Sequence, residues 1–369
     1  MKSLRGAIQK VATGPEYSKD ISLDESYDAM MNILNQDVDP VQAAIYLISL
    51  RMKRETIEEN SGSLKALIDN SDILTTNVSD LVDLAEPYNG FLRNTPISPF
   101  VPAVLASCGL PCYSHGLAKV GPKFGLTHHL VLKEFGFDVT KSLNDAAAQI
   151  NDPDIGWSYI DQSIFCNPLH NLVDLRTRMV KRTVITTIEV LVGPLRGLNK
   201  THLYTGYVHT AYPPIYLHLA KVSGYDSATL VKGVEGGVSP ALRQDSKIFH
   251  YNGSEELQPK FNPSDISISQ NMRAVPLPDL AKSKSGLDEI SADIDVKEFA
   301  SKTAEIGEEA LSCKDSPALD SIIYTSSIIY SLIKNKSLFE SSDIIRKSIK
   351  KGTAKSFFKN AIWYIIIFF

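Results

Sequence analysis

The sequence predicts an α/β protein, with a small helical lobe at the N-terminus and a body in which strands and helices alternate around a central, mostly parallel sheet. Three features of the 369-residue chain predict it. From Ser22 to Asn70 the apolar residues recur at helical spacing between clear start signals. From Ser98 to Lys232 short apolar, β-branched runs alternate with helical stretches, the pattern of parallel strands joined by crossovers. From Val296 onward the chain reads as helix again. With 43% hydrophobic residues the chain has enough apolar material for a large core, which excludes disorder as a description of the whole.

Met1 to Lys19 has neither the apolar core of a signal peptide nor an Arg-rich amphipathic pattern, so a cytoplasmic start is expected, or an organelle matrix or stroma if a presequence is missing. The first helix is expected over Leu23 to Asn35, with Ser22 as N-cap and Glu25 completing a capping box. Asp39-Pro40 starts a second that runs to Lys53, and Glu55-Thr56 a third through Leu64 and Leu67. Pro87, Asn89 and Gly90 mark a loop after a short apolar run from Leu81. Asp161 to Arg182 and Val184 to Val192 read as helical, Tyr204 to Val208 and Thr229 to Lys232 as strands, and Ile215 to Val222 as the helix between them. Gly253 to Ser285 is polar and broken by proline, hence surface loops and edge strands. Ala318 to Ile333 is expected as a core helix and Leu338 to Lys351 as an amphipathic one ended by Gly352, with the lysine-rich Lys347 to Lys359 as a solvated helix end. The apolar tail Ala361 to Phe369 is well short of the roughly 20 residues a membrane span needs, so no span is expected.

The stretch Tyr113 to Gly125 carries the most chemistry. An apolar run into Pro111 gives way to small, flexible and basic residues, the layout of a phosphate-binding turn. Other chemistries lack their motifs. Cys108, Cys112, Cys166 and Cys313 have no zinc spacing and read as buried thiols in a reducing compartment, and the adjacent His128 and His129 cannot grip one metal as an i, i+4 pair would. There is no G-x-S-x-G elbow, no P-loop and no dinucleotide fingerprint. The net charge of −4 means that nucleic-acid binding would need a local basic face.

In order, the helical lobe with Leu50-Arg51-Met52-Lys53, the Gly109-Leu110-Pro111 turn into His115-Gly116, Arg182-Thr183 leading to Gly193-Pro194-Leu195, and Lys232-Gly233-Val234-Glu235-Gly236 resemble anthranilate phosphoribosyltransferase over nearly the whole chain. The resemblance implies the nucleoside phosphorylase/phosphoribosyltransferase type of fold. Residues 1–86 would form a helical lobe completed by inserted helices in 150–192, with 87–149 and 193–369 as the α/β domain. It also implies a homodimer through the helical lobes. In active members phosphoribosyl pyrophosphate sits with Mg²⁺ on glycine-rich loops, and anthranilate attacks the anomeric carbon.

Expelling pyrophosphate requires amides, cations and Mg²⁺ around the phosphates. On the family's pattern the substrate-binding candidates are Gly90, Ser98, His115, Gly116, Gly125 and Arg176, the last where the family contacts anthranilate. Much else departs from that pattern. The Gly-Thr-Gly-Gly-Asp loop falls on Glu86-Pro87-Tyr88-Asn89-Gly90, the lysine before His115 is Ser114, and the metal-binding Asp-Glu pair falls on Val238-Ser239. No metal-ligand residue is assigned, and Mg²⁺ is expected only with the enzymatic reading. The second reading is a basic groove of Arg93, Lys119, Lys123, Arg178, Lys181, Arg182 and Arg196 interleaved with Tyr88, Phe91, Tyr113 and Phe124, able to follow a sugar-phosphate backbone. It is similar to a divergent branch of the family that lacks the catalytic motifs and binds nucleic acid without sequence preference.

Overall fold

Four helices, α1 (Leu4–Val11), α2 (Leu23–Leu34), α3 (Pro40–Lys53) and α4 (Ile57–Asp69), open the computed structural model, which describes residues 4–281 and 294–364. The start signals read from the sequence hold. Ser22 Oγ accepts from Glu25 N–H while the Glu25 carboxylate accepts from Ser22 N–H, Thr56 and Glu59 repeat the arrangement, and Asp39 caps the helix that has Pro40 in its first turn. The helix α1 carries no such signal and was not anticipated. α2 and α4 approach so closely at Gly62 that a Cβ there would lie 2.2 Å from Leu23 O.

Among the described residues nine strands form two sheets. β1 (Leu74–Thr75) and β5 (Leu195–Arg196) pair in parallel as a small ribbon. The other seven are β2 (Asp80–Ala85), β3 (Cys112–Gly116), β4 (Trp157–Asp161), β6 (Lys200–Tyr207), β7 (Ser227–Lys232), β8 (Ile248–Asn252) and β9 (Glu255–Leu257). They lie in the order β4-β3-β2-β6-β7-β8-β9, parallel from β4 to β7 and antiparallel beyond. Leu81 and Ala85 of β2 face one apolar core shared with the N-terminal helices, while Val82 and Leu84 face the other, shared with helices Val296–Leu311, Pro317–Lys334 and Leu338–Lys350. This is the period-two alternation of a sheet covered on both faces.

Two strands fall where helices were expected. β2 lies inside the 1–86 stretch, and β4 inside 150–192, whose helices begin only at Gln162. Both are short and wholly or almost wholly buried, so they lack the polar alternation by which a half-exposed strand is recognised. The Asp161-to-Arg182 stretch is three short helices, Gln162–Phe165, Asn167–His170 and Val173–Met179. Cys313 is exposed and Cys108 half-buried, so only Cys112 and Cys166 are the buried thiols expected of all four. Among the described residues no helix is long and apolar enough to cross a membrane. The tail from residue 365 and the end of the expected polar loop, residues 282–285, lie outside the described residues.

Candidate functional site

Because β3, β2, β6 and β7 run parallel, the loops that follow them gather at one end of the sheet, the usual place for a ligand in an open α/β sheet. The loop after β2 is Glu86 to Gly90, that after β3 runs from Leu117 to Thr127, that after β6 leads to Tyr212, and that after β7 is Gly233 to Gly237. The C-terminal part of α3 and the helix Val184–Ile188 close the space from the helical side.

His115 and Gly116 belong to the fully buried strand β3 rather than to a loop. His115 Nδ1 bonds the Tyr88 hydroxyl, and its Nε2 lies 3.0 Å from Asp83 Oδ1 without the alignment of a hydrogen bond. Asp83 Oδ2 accepts from the hydroxyls of Tyr113 at 2.8 Å and Tyr225 at 2.6 Å. Gly116 faces Tyr159 and Tyr88. Ser98 is buried and its hydroxyl lies 2.9 Å from His128 Nε2. Burial, and then the neighbouring His115, push the His128 imidazole down to about 3, so it is neutral at physiological pH. Beside them, Glu86 has its carboxyl raised to about 7 by burial, partly opposed by Ser98 and the Val238 N–H. Glu86, Tyr88, His115, Gly116 and His128 enclose a space of about 10 Å³.

The glycines retained in these loops serve another contact. Gly90 has φ +73°, and a Cβ on it would lie 2.5 Å from the Gly125 carbonyl; one on Gly125 would lie 2.5 Å from Phe91 N. Gly125 N donates to Asn89 O, and Phe91 and Leu126 exchange two backbone hydrogen bonds, each at 2.9 Å. The β2 and β3 loops are therefore zipped to each other, and the absence of a side chain permits that approach. Lys123 crosses the same junction, donating to Gly90 O at 2.5 Å and pairing with Glu235, whose carboxylate also accepts from the backbone N–H groups of Leu92 and Arg93.

Several expected ligand-binding cations are already engaged. Arg176 is buried and makes a two-pronged bond to buried Glu189, at 2.7 and 2.8 Å. The guanidinium expected to contact an acceptor is held in this ion pair. Arg196 donates to Val192 O and Ser223 O and covers the Tyr225 ring. Arg178 pairs with Asp174 on the surface. Lys119 is exposed over the Phe124 ring, and Arg93, Lys181 and Arg182 are exposed. The structure thus brings Ser98, His115, Gly116, Gly90 and Gly125 together, with Arg176 and Arg196 engaged by protein groups and Arg178 on the surface.

A second, larger cavity of about 130 Å³ opens between the helical layer and the sheet, lined by Arg51, Arg182, Thr183, Thr187, Tyr207 and Tyr212, among others. Its volume is close to the roughly 150 Å³ of an apolar cavity that holds a benzene ring. Arg51 donates to the Tyr212 hydroxyl at 2.5 Å. Partial desolvation, and then the like charges of Arg51 and Arg93, lower Arg182 from its ordinary value against the pull of Glu235. The sequence reading named Arg51 and Thr183 only as parts of motifs and missed Tyr207, Tyr212 and Tyr216. The i, i+4 spacing of Tyr212 and Tyr216 after a strand was the available signal.

The residues present do not fit the family's magnesium. Val238 and Ser239 supply no carboxylate, Glu235 is occupied as described, and Asp245 accepts from Asn262 at 2.5 Å. Among the described residues no three of His, Cys, Asp and Glu converge as ligands.

Comparison with known proteins gives a consistent result. Residues 5–71 match the helical bundle domain of the glycosyl transferase family. An uncharacterized protein of Aquifex aeolicus is 25% identical over 240 residues, 65% of this chain and 71% of that one. An anthranilate phosphoribosyltransferase of Oceanobacillus iheyensis is 23% identical over 350 residues, 94% of each chain. The structure of anthranilate phosphoribosyltransferase from Saccharomyces cerevisiae in complex with PRPP and Mg shares the fold, with a TM-score of 0.73 at 18% identity over 98% of both chains. The chain thus carries the helical bundle domain of the glycosyl transferase family over residues 5–71, and over nearly its whole length it is similar to anthranilate phosphoribosyltransferases and shares their fold.

Proposed function

We propose that this chain binds the phosphodiester backbone of single-stranded nucleic acid in the cleft between its helical layer and its sheet, and that it does not transfer phosphoribosyl. The single observation that carries the proposal is the filled phosphate cradle. Where the family's first phosphate loop falls, the side chains of Glu86 and Tyr88 pack with His115 and His128 around about 10 Å³, at most the room of one water. Pyrophosphate departure needs cations and Mg²⁺ at that place, and each 1.4 kcal/mol of lost charge stabilisation is about a tenfold loss of rate. The binding half rests on Arg51 and Arg182 beside Tyr207, Tyr212 and Tyr216, a combination of phosphate contact and base stacking, with Arg93 exposed nearby.

The reading includes a division of the chain, with α1 to α4 and the short helices from Gln162 to Ile188 as one lobe, the sheet and C-terminal helices as the other, and the cleft between them. It also includes a homodimer through the helical lobe. An apolar groove on that lobe, lined by Pro40, Val41, Ala44, Ile45, Leu175 and Met179, supports the dimer.

The second reading is the family reaction, transfer of phosphoribosyl from phosphoribosyl pyrophosphate to anthranilate, which the 94% coverage of the Oceanobacillus iheyensis enzyme favours. A transfer assay with phosphoribosyl pyrophosphate, anthranilate and Mg²⁺ is decisive between the two. No phosphoribosylated anthranilate at millimolar substrates, with a labelled oligothymidine that binds less tightly as salt rises and less tightly to Arg182→Ala, is the expected result. Formation of the phosphoribosylated product would restore the transferase reading, and salt-independent oligonucleotide affinity would remove the nucleic-acid one.

A further inference from the structure

The segment after β7 folds into a polar hollow of about 150 Å³ lined by Lys232, Arg243, Lys247 and Arg273, with Asp245 and Ser246. It shares no lining residue with the cleft cavity. Four cations face one carboxylate, and that carboxylate is engaged by Asn262. None of the four cationic groups has an ion-pair or hydrogen-bond partner for its side chain among the described residues, although the chain carries a net charge of −4. The four positive charges outnumber the one negative charge of Asp245, and an anion among them relieves the repulsion that remains.

The backbone holds the four in place. Lys232 N donates to Lys247 O at 3.0 Å, and Leu242 N to Arg273 O at 3.1 Å, which ties the end of β7, the loop and the later segment into one rim. The floor is fixed by buried Ser246, whose N–H donates to Phe261 O at 2.8 Å. Two guanidinium groups offer planar forks and two ammonium groups point charges, the donor set suited to a phosphate.

We infer that this hollow is a second anion site, independent of the cleft, that takes the phosphate group of a phosphorylated ligand. That chemistry has two sources, a free phosphorylated molecule or the phosphodiester backbone of a nucleic acid, and inorganic pyrophosphate and labelled oligothymidine are the probes that separate them. Each is titrated into the full chain, into Arg243→Gln/Arg273→Gln and into the cleft variant Arg182→Ala. Arg243 and Arg273 are exposed, so the double variant is expected to fold, which a thermal melt verifies.

The double variant should bind pyrophosphate at least about tenfold more weakly, through the loss of charge-assisted bonds. Arg182→Ala should retain the part of the pyrophosphate affinity that the double variant loses. A parallel fall in oligothymidine affinity in the double variant assigns the hollow to a nucleic-acid backbone, and an unchanged one assigns it to a free phosphorylated molecule. Pyrophosphate binding that is absent from the wild type, insensitive to the double substitution, or abolished by Arg182→Ala overturns the proposal. The cleft reading is tested apart from it by the oligothymidine affinity of Arg182→Ala.

Discussion

Glu86 is the residue at which the departure from the family becomes measurable. Its carboxyl is buried, with Oε2 unpartnered, and is raised from the usual 4.5 to about 7. The folded protein therefore keeps a proton on Glu86 up to about pH 7, whereas the unfolded chain loses it near 4.5. Between those values the folded state binds the extra proton, so stability falls as pH rises through the window, by about 3 kcal/mol in all. Glu86→Gln keeps the shape without the ionisation. Its melting temperature should match the wild type near pH 4.5 and exceed it near pH 8; equal melting curves at both pH values would show that Glu86 ionises freely.

Arg176 makes the complementary case. Replaced by alanine, it leaves Glu189 buried and uncompensated, which costs roughly 3–5 kcal/mol. Urea denaturation should show that loss, and Arg176→Met combined with Glu189→Leu should recover most of it. A stable Arg176→Ala protein would mean that the pair contributes little to folding and that the arginine is free for a ligand.

At the scale of elements, the helical layer depends on how closely two helices approach. Gly62 of α4 lies against Leu23 O and Ser26 Cβ of α2, while Ser26 Oγ bonds Glu59 O at 2.6 Å across the same contact. Gly62→Ala gains helix propensity, but its Cβ would fall 2.2 Å from Leu23 O, a collision that only movement of a whole helix relieves. The substitution should destabilise by about 1–3 kcal/mol. A rise in the urea midpoint would mean that α2 and α4 slide apart at no cost.

The elements were largely legible in the sequence, because caps and periodicity are local signals. Ser22 with Glu25, Asp39 with Pro40 and Thr56 with Glu59 mark α2, α3 and α4 to within a residue or two. β2 and β4 fell inside the bounds 1–86 and 150–192 that the resemblance assigned to the helical lobe, and burial on both faces removes the alternation that distinguishes a strand.

For the whole molecule, the groove on the helical lobe bears on assembly. Val41 and Ile45 are 64% and 43% exposed at its edge, enough for a charge to be introduced without unfolding α3. Light scattering should give a dimer for the wild type and a monomer for Val41→Glu/Ile45→Glu, with unchanged circular dichroism. An unchanged mass in the double variant would place any dimer contact elsewhere.

By itself the sequence determined the helical starts, the alternation that makes a parallel sheet, and the resemblance to anthranilate phosphoribosyltransferase with its altered phosphate and metal motifs, because each of these is written in neighbouring residues. Only the tertiary structure decided what those residues do. It turned Gly90 and Gly125 into a loop-to-loop contact, gave Arg176 to Glu189, filled the phosphate cradle with Glu86, Tyr88 and His115, and gathered Lys232, Arg243, Lys247 and Arg273 around one hollow. Partnership in a fold is made between residues far apart in the chain. A side chain's charge can be read from its identity, but whether that charge is already neutralised depends on what the folded chain places beside it.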